Sequence, residues 1–153
     1  PFFLDMQEAA LKEGYHIIID SGYRSSQYQQ RLWDRMVEKK GLEYTKKSVA
    51  IPGSSEHQSG LAFDVAYFIN GKYCDGGKVA FEQPESQWLF HHAHEYGFIL
   101  RYPYGKEEIT GYKFEPWHYR FVGIELATKI YYEGITLEEF YMGRDLNDAK
   151  KIR

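Results

Sequence analysis

The chain has one cysteine, Cys74, in 153 residues. It therefore has no intramolecular disulfide, and cysteine usage does not reveal a redox compartment. Proline is scarce at five residues, and no repeat, low-complexity tract or Pro/Ser-rich linker divides the sequence. One domain over 1–153 is the expected organisation. No apolar run reaches the roughly 18 residues of a membrane-spanning helix. Positive charge is not in excess either: 19 basic residues are interspersed with 22 acidic ones, for a net charge of −3. That balance leaves no electrostatic footprint for nucleic acid. Aromatic residues, by contrast, are plentiful. Fourteen Tyr, ten Phe and three Trp sit in a chain that is 43% hydrophobic, enough for a real core. Tyr and Trp join an apolar body to a polar tip, which suits a groove for a peptide or sugar as well as it suits packing. The chain opens at Pro1 rather than Met, which leaves room for an upstream leader or anchor.

The pattern along the chain predicts an α+β fold. Residues 4–13 read as an amphipathic helix stopped by Gly14. Tyr15–Asp20 is a β-branched run of strand type. Ser25 or Ser26 caps a helix over Gln27–Lys40, which ends in a basic turn and Gly41. A turn at Ile51–Ser54 leads to a strand over Leu61–Phe68, with Asn70-Gly71 as a hairpin turn. A helix is expected over 86–97, and strands over Phe98–Tyr102 and Phe114–Val122, the latter interrupted by Pro116. The chain then turns helical, first at Ile124–Glu133 and again after the capping-box pattern Thr136-x-x-Glu139. Helices and short antiparallel strands without a βαβ rhythm imply a small antiparallel sheet flanked by helices.

Two segments carry chemistry. In Ser55-Glu56-His57-Gln58-Ser59-Gly60-Leu61-Ala62-Phe63-Asp64, an imidazole and a carboxylate lie seven residues apart. The small Gly60 and Ala62 between them let the backbone turn tightly, so both can reach one ion. Phe114-Glu115-Pro116-Trp117-His118 supplies a second imidazole three residues after a carboxylate. Two His and one Asp suit Zn²⁺ and leave a fourth position open, as in a catalytic rather than structural site. Glu115 is then the natural base for the attacking water. Residues 115 and 118 face opposite sides of a regular strand, so they converge only if the chain bends near Pro116, and that bend is expected. The cluster His91-His92-x-His94 looks metal-like, but its spacings of one, two and three do not gather three ligands on one helix face. It reads as a solvated or partly packed helix face. Lys39-Lys40 and Lys46-Lys47 read as solvated charge.

Together the two segments form Ser-x-His-x-x-Gly-x-Ala-x-Asp followed by Glu-x-Trp-His. This resembles the VanY-type D-alanyl-D-alanine carboxypeptidases, within a wider group of metallopeptidases that includes the VanX-type dipeptidases. Every fixed position is present: Ser55, His57, Gly60, Ala62, Asp64, Glu115, Trp117 and His118. The resemblance extends to Ser21–Ser25, Tyr96–Pro103 and Ile109–Tyr112, and covers roughly 14–142. It implies one catalytic Zn²⁺ held by His57, Asp64 and His118, Glu115 as general base and Arg24 as oxyanion stabiliser. Gln29 would bind the substrate's terminal carboxylate or backbone, though a solvated helix glutamine is the plainer alternative. Ser55 would bond substrate or cap its turn. Trp117 would pack behind the metal more than touch substrate.

The activity implied is removal of the terminal D-Ala from peptidoglycan stem peptides or their precursors, by a monomer in the bacterial cell envelope outside the cytoplasm. Rivals with the same chemistry are an L,D-carboxypeptidase and a D,D-dipeptidase, and a cytoplasmic location is the alternative. Pocket shape decides among them, and Asn70–Ser86, rich in Gly and turn residues, is where the difference is expected. Rivals of another class are a zinc-bearing binding or signalling module, since hedgehog-type domains share the fold, and a wall-binding module without catalysis. Glu115 and Arg24 argue against the signalling module, and the wall-binding module is the weaker option.

Overall fold

The computed structural model describes residues 1–143. Helix α1 (Phe2–Lys12) leads into strand β1 (His16–Ser21), and helices α2 (Ser26–Lys40) and α3 (Leu42–Ser48) follow. A 3₁₀ turn (Glu56–Ser59) precedes strands β2 (Ala62–Ile69) and β3 (Lys72–Asp75). Helix α4 (Pro84–His92) runs into a second 3₁₀ turn (Ala93–Tyr96) and strand β4 (Phe98–Leu100). Short helix α5 (Glu107–Thr110), strand β5 (His118–Phe121) and helix α6 (Ile124–Glu133) complete the order, and residues 137–143 are again helical. The fold is α+β, as the sequence pattern predicts.

The sheet is antiparallel in the order β1-β2-β5-β4, with β5 and β3 sharing one edge of the long central β2. Asn70 and Gly71 both take left-handed φ (51° and 73°), the conformation a two-residue hairpin between β2 and β3 demands. Alternation along β2 gives its two faces different jobs. Phe63, Val65 and Tyr67 enter a core with Met6 and Ala10 of α1, Ile17 of β1, Trp88 and Leu89 of α4, and Tyr119 of β5. Ala62, Asp64 and Ala66 point the other way. A smaller cluster of Ile99, Ala127, Ile130 and Leu137 fixes α6 and the last helical segment to β4.

Several boundaries differ from the expected ones. The helix expected over 86–97 ends at His92 and tightens into the 3₁₀ turn, which Gly97 closes with a left-handed φ of 88°. The strand expected over Phe114–Val122 is regular only from His118, because the chain turns at Pro116-Trp117 and the His118 amide donates to the Glu115 carbonyl (3.2 Å). That turn is the anticipated bend. Helix α3 was not expected: LEYTKKS carries no apolar stripe, and Thr45 is its one buried residue.

Candidate active site

Cross-strand register brings the site together. In the pairing of β2 with β5, Asp64 stands opposite His118, and directly opposed residues of an antiparallel pair lie side by side on one face. A β-bulge between Ile19 and Ser21 of β1, which also pairs with Asp64, swings Ser21-Gly22 toward the same point. His57 arrives from the 3₁₀ turn. Gly60 ends that turn at φ +72°, a conformation open to glycine, and reverses the chain into β2 so that the imidazole folds back over Asp64.

One ligand atom each from His57, Asp64 and His118 lie within 4.8 Å of one another, the only such metal-capable group among the described residues. His57 Nε2 is 3.1 Å from Asp64 Oδ1, and His118 Nδ1 is 3.3 Å from the same oxygen. The remote nitrogen of each imidazole is tied down. His57 Nδ1 donates to the Gly22 carbonyl (2.7 Å), and His118 Nε2 donates to Glu56 Oε2 (3.2 Å). Each ring thus keeps its lone pair for the centre, the arrangement a metal-binding histidine needs. Two neutral imidazoles and one carboxylate are the donor chemistry of a Zn²⁺ site with an open position. The residues fit that ion.

Charge in the site reflects its ligand character. Burial alone would push Asp64 up, but hydrogen bonds from His118 and His57 outweigh it and hold the carboxyl well below the usual range. Burial alone would lower His118, yet hydrogen bonds to Asp64 and Glu56 lift it to about 9. His118 would have to give up that proton to serve as a metal ligand. Glu115, 7% exposed, is not one of the converging three, and its Oε2 lies 3.7 Å from His118 Nδ1. Burial pushes Glu115 up to about 7, with the nearby Asp64 charge adding to the rise. A carboxylate tuned to neutrality beside a metal-capable triad is matched to proton transfer.

Arg24 is held in place by both ends of its guanidinium. Its Nε donates to Ser21 Oγ (2.8 Å) and its Nη2 to Asp64 Oδ2. Arg24 and the triad line a cleft of about 190 Å³, walled further by Leu32 and Met36 of α2, Ser48 at the end of α3, Val49 and Ala50 after it, and Tyr102 and Tyr112. Gln29 is 1% exposed, which removes the solvated-glutamine reading. Its Nε2 donates to the Ala50 carbonyl (2.9 Å), and its Oε1, though buried on the cleft, has no partner among the described residues. Ser55 is buried on the same wall and its side chain makes no capping bond, so the turn-cap reading fails. Trp117 reaches the cleft while its back is covered by Gly76 and Gly77. A Cβ on Gly76 would lie 2.1 Å from the Val65 carbonyl oxygen and 3.1 Å from Trp117 Cβ, so that loop fits as glycine only. Within Asn70–Ser86, Gly76 and Gly77 therefore buttress Trp117 from behind, and no residue of that segment is among those lining the cleft.

The residues missed in the sequence are Glu56, Arg101, Arg120 and Tyr102. Glu56 Oε1 accepts from Arg101 Nε (2.7 Å) and Arg120 Nη1 (3.0 Å). Burial opposes ionisation of Glu56, but its bonds to His118 and Arg101 hold it down at about 2. The Tyr102 ring lies 5.0 Å from that of His118 and 4.6 Å from Tyr112. Adjacency was the available signal: Glu56 precedes His57, and Arg101-Tyr102 lie within the resembling stretch Tyr96–Pro103.

The family profile described as VanY: D-alanyl-D-alanine carboxypeptidase matches residues 2–124. A D-alanyl-D-alanine carboxypeptidase of Enterococcus faecalis (strain ATCC 700802 / V583) is 44% identical over 149 residues, covering 92% of this chain and 53% of its own length. The chain spans about half the length of the curated relatives it matches. Among solved structures, the LdcB LD-carboxypeptidase superposes with a TM-score of 0.84 at 42% identity, covering 92% of this chain and 65% of the other. The D,D-pentapeptidase VanY from a VanB-type resistance cassette, solved as a point mutant in complex with Zn(II), gives 0.79 at 41% identity, covering 92% and 80%. By profile, by sequence relatives and by fold, the chain belongs to the VanY family of D-alanyl-D-alanine carboxypeptidases.

Proposed function

We propose that this chain is a D,D-carboxypeptidase that removes the terminal D-Ala from peptidoglycan stem peptides or their precursors, with one Zn²⁺ held by His57, Asp64 and His118. The observation that carries the reading is a convergent His-Asp-His triad with a separate buried carboxylate, Glu115, poised near neutrality beside it. When bound, the ion would supply Lewis-acid chemistry, polarising the scissile carbonyl and acidifying a water. The chain's own groups do the rest. Glu115 takes a proton from the attacking water and returns it to the leaving amine. Arg24, fixed by Ser21 and Asp64, offsets the negative charge that develops on the carbonyl oxygen. The free Oε1 of Gln29 accepts a substrate N–H, a role its buried position favours over carboxylate binding. Ser55 offers a hydroxyl to the bound peptide, and Trp117 forms a wall. The peptidoglycan recognition named for the LD-carboxypeptidase neighbour supports work in the cell envelope, and the proposed working unit is a monomer.

The TM-score of 0.84 to an LD-carboxypeptidase supports a second reading, trimming of tetrapeptides. Incubation with matched pentapeptide, tetrapeptide and D-Ala-D-Ala dipeptide, with product analysis and a chelator control, separates them. Release of D-Ala from pentapeptide alone is the expected result. Release from tetrapeptide alone gives the L,D reading, cleavage of dipeptide alone gives a dipeptidase, and turnover of none removes the enzymatic reading.

A further inference from the structure

The two oxygens of Glu56 are divided between different tasks. Oε1 is occupied by two guanidiniums, Arg101 Nε at 2.7 Å and Arg120 Nη1 at 3.0 Å. Oε2 faces His118 Nε2 at 3.2 Å. Arg101 in turn reaches the helical segment 137–143, its Nη1 donating to Glu138 Oε2 at 2.9 Å. The start of that segment is itself pinned. Thr136 and Glu139 exchange capping bonds of 2.7 and 3.1 Å, and Lys106 Nζ lies 3.0 Å from Glu139. Within this group the two arginines and the two carboxylates, Glu56 and Glu138, already balance in charge. The bond to His118 is therefore not needed to neutralise Glu56. The arginines fix the plane of the carboxylate, and the fixed plane aims Oε2 at the imidazole.

A histidine that binds a metal through Nδ1 must carry its proton on Nε2 and hold its ring at one angle. A carboxylate on Nε2 does both, and makes the ring a stronger ligand. His57 has only the Gly22 carbonyl for this purpose, a neutral acceptor that no side-chain change can remove. We infer that Glu56 is a positioning residue of the metal site, fixing the ring of His118, and that Arg101 and Glu138 extend this support to the C-terminal helical segment. The inference rests on the reading of His118 as a zinc ligand.

The experiment measures zinc affinity by competition with a chromogenic chelator, alongside thermal melting of the metal-free protein, for wild type, Glu56→Ala, Glu56→Gln and Glu138→Gln. Loss of such a partner costs about 10- to 100-fold in metal affinity. Glu56→Ala should fall in that range. Glu56→Gln keeps an acceptor oxygen and the side-chain volume, so it should fold where Ala does not, and should weaken zinc by about fivefold or more. Glu138→Gln should give a smaller loss in the same direction. In the zinc-loaded protein, the His118 Nε2–H resonance should be slow to exchange in wild type and lost in Glu56→Ala. Zinc affinity in Glu56→Gln within fivefold of wild type, with a lowered melting temperature, would show that Glu56 only neutralises its arginines, and the inference would be overturned. A wild type that binds no zinc would instead overturn the metal reading on which it rests.

Discussion

Two regions of this molecule gather histidines, and only one is built for a metal. On α4 and the turn after it, His91 Nδ1 lies 2.6 Å from the Tyr131 hydroxyl, and His92 Nδ1 lies 3.1 Å from Glu95. His92 also stacks on Trp88 at 4.7 Å, and His94 lies flat on Tyr131 at 4.0 Å. Their partners differ, and among the described residues these three do not form a group of converging ligand atoms. In the cleft, two histidines separated by 61 positions in the chain (57 to 118) converge on Asp64 because the remote nitrogen of each is already bonded. Density of histidine along the sequence is a poor guide to metal binding. What matters is whether the second nitrogen is held, and that depends on partners distant in sequence.

The comparison is broken most sharply by exchanging losses between the two regions. His118→Ala should abolish stoichiometric zinc, whereas His91→Ala should leave about one zinc per chain by elemental analysis. Zinc lost from the His91 variant and kept in the His118 variant would reverse the assignment of the two clusters.

Next in size is the carboxylate beside the triad. Glu115→Gln should keep zinc and lose about 10²-fold or more in kcat. The ionised form is the base, so in wild type kcat/KM rises with pH through the Glu115 pKa. Burial sets that value at about 7, and a bound cation nearby would draw it lower. The variant should lack this rising limb. A variant that loses zinc along with activity would make Glu115 a ligand or a prop.

Arg24 follows. If it acts on the oxyanion, Arg24→Ala should lower kcat and kcat/KM together, about 10²-fold, with KM little changed. Because Arg24 also bonds Asp64, zinc content must be measured in the same samples. Arg24→Lys keeps the charge but not the fork of donors, and should recover activity only in part. Full recovery would show that a nearby positive charge is enough.

The outline of this site was legible in the sequence because its parts are local. His57 and Asp64 share one turn-and-strand segment, Gly60 marks the reversal, and Pro116 betrays the bend that lets Glu115 and His118 approach. The capping box at Thr136 and the Asn70-Gly71 hairpin were legible for the same reason. What was not legible is what long-range packing decides. Glu56 meets Arg101 45 positions away (56 to 101), and no periodicity announces such a pair. Helix α3 lacks an apolar stripe, yet the residues after it wall the cleft. Nor does local sequence show that Gly76 and Gly77 seat against Trp117, 41 and 40 positions away (76 and 77 to 117).

The smallest expected effect lies in the other histidine region. His94 is 6% exposed, stacked on Tyr131, and its Nδ1 has no partner among the described residues. Burial, more than any neighbouring charge, lowers its pKa below the usual 6.5. The folded protein therefore prefers the neutral ring. As pH falls through 6.5 the unfolded chain takes up a proton that the folded one refuses, and stability is lost until the lower folded pKa is reached. His94→Phe keeps a ring on Tyr131 and removes the titration. It should unfold less readily than wild type at about pH 5, and the advantage should shrink or vanish near pH 8. His94→Ala removes the ring along with the titration and should cost about 2 kcal/mol near pH 8, or about 4–8 °C in Tm, and less at about pH 5. Neither variant should change zinc affinity. A His94→Phe variant whose stability tracks wild type across this pH range would show that the ring is protonated with equal ease in both states, and its role would then be packing alone.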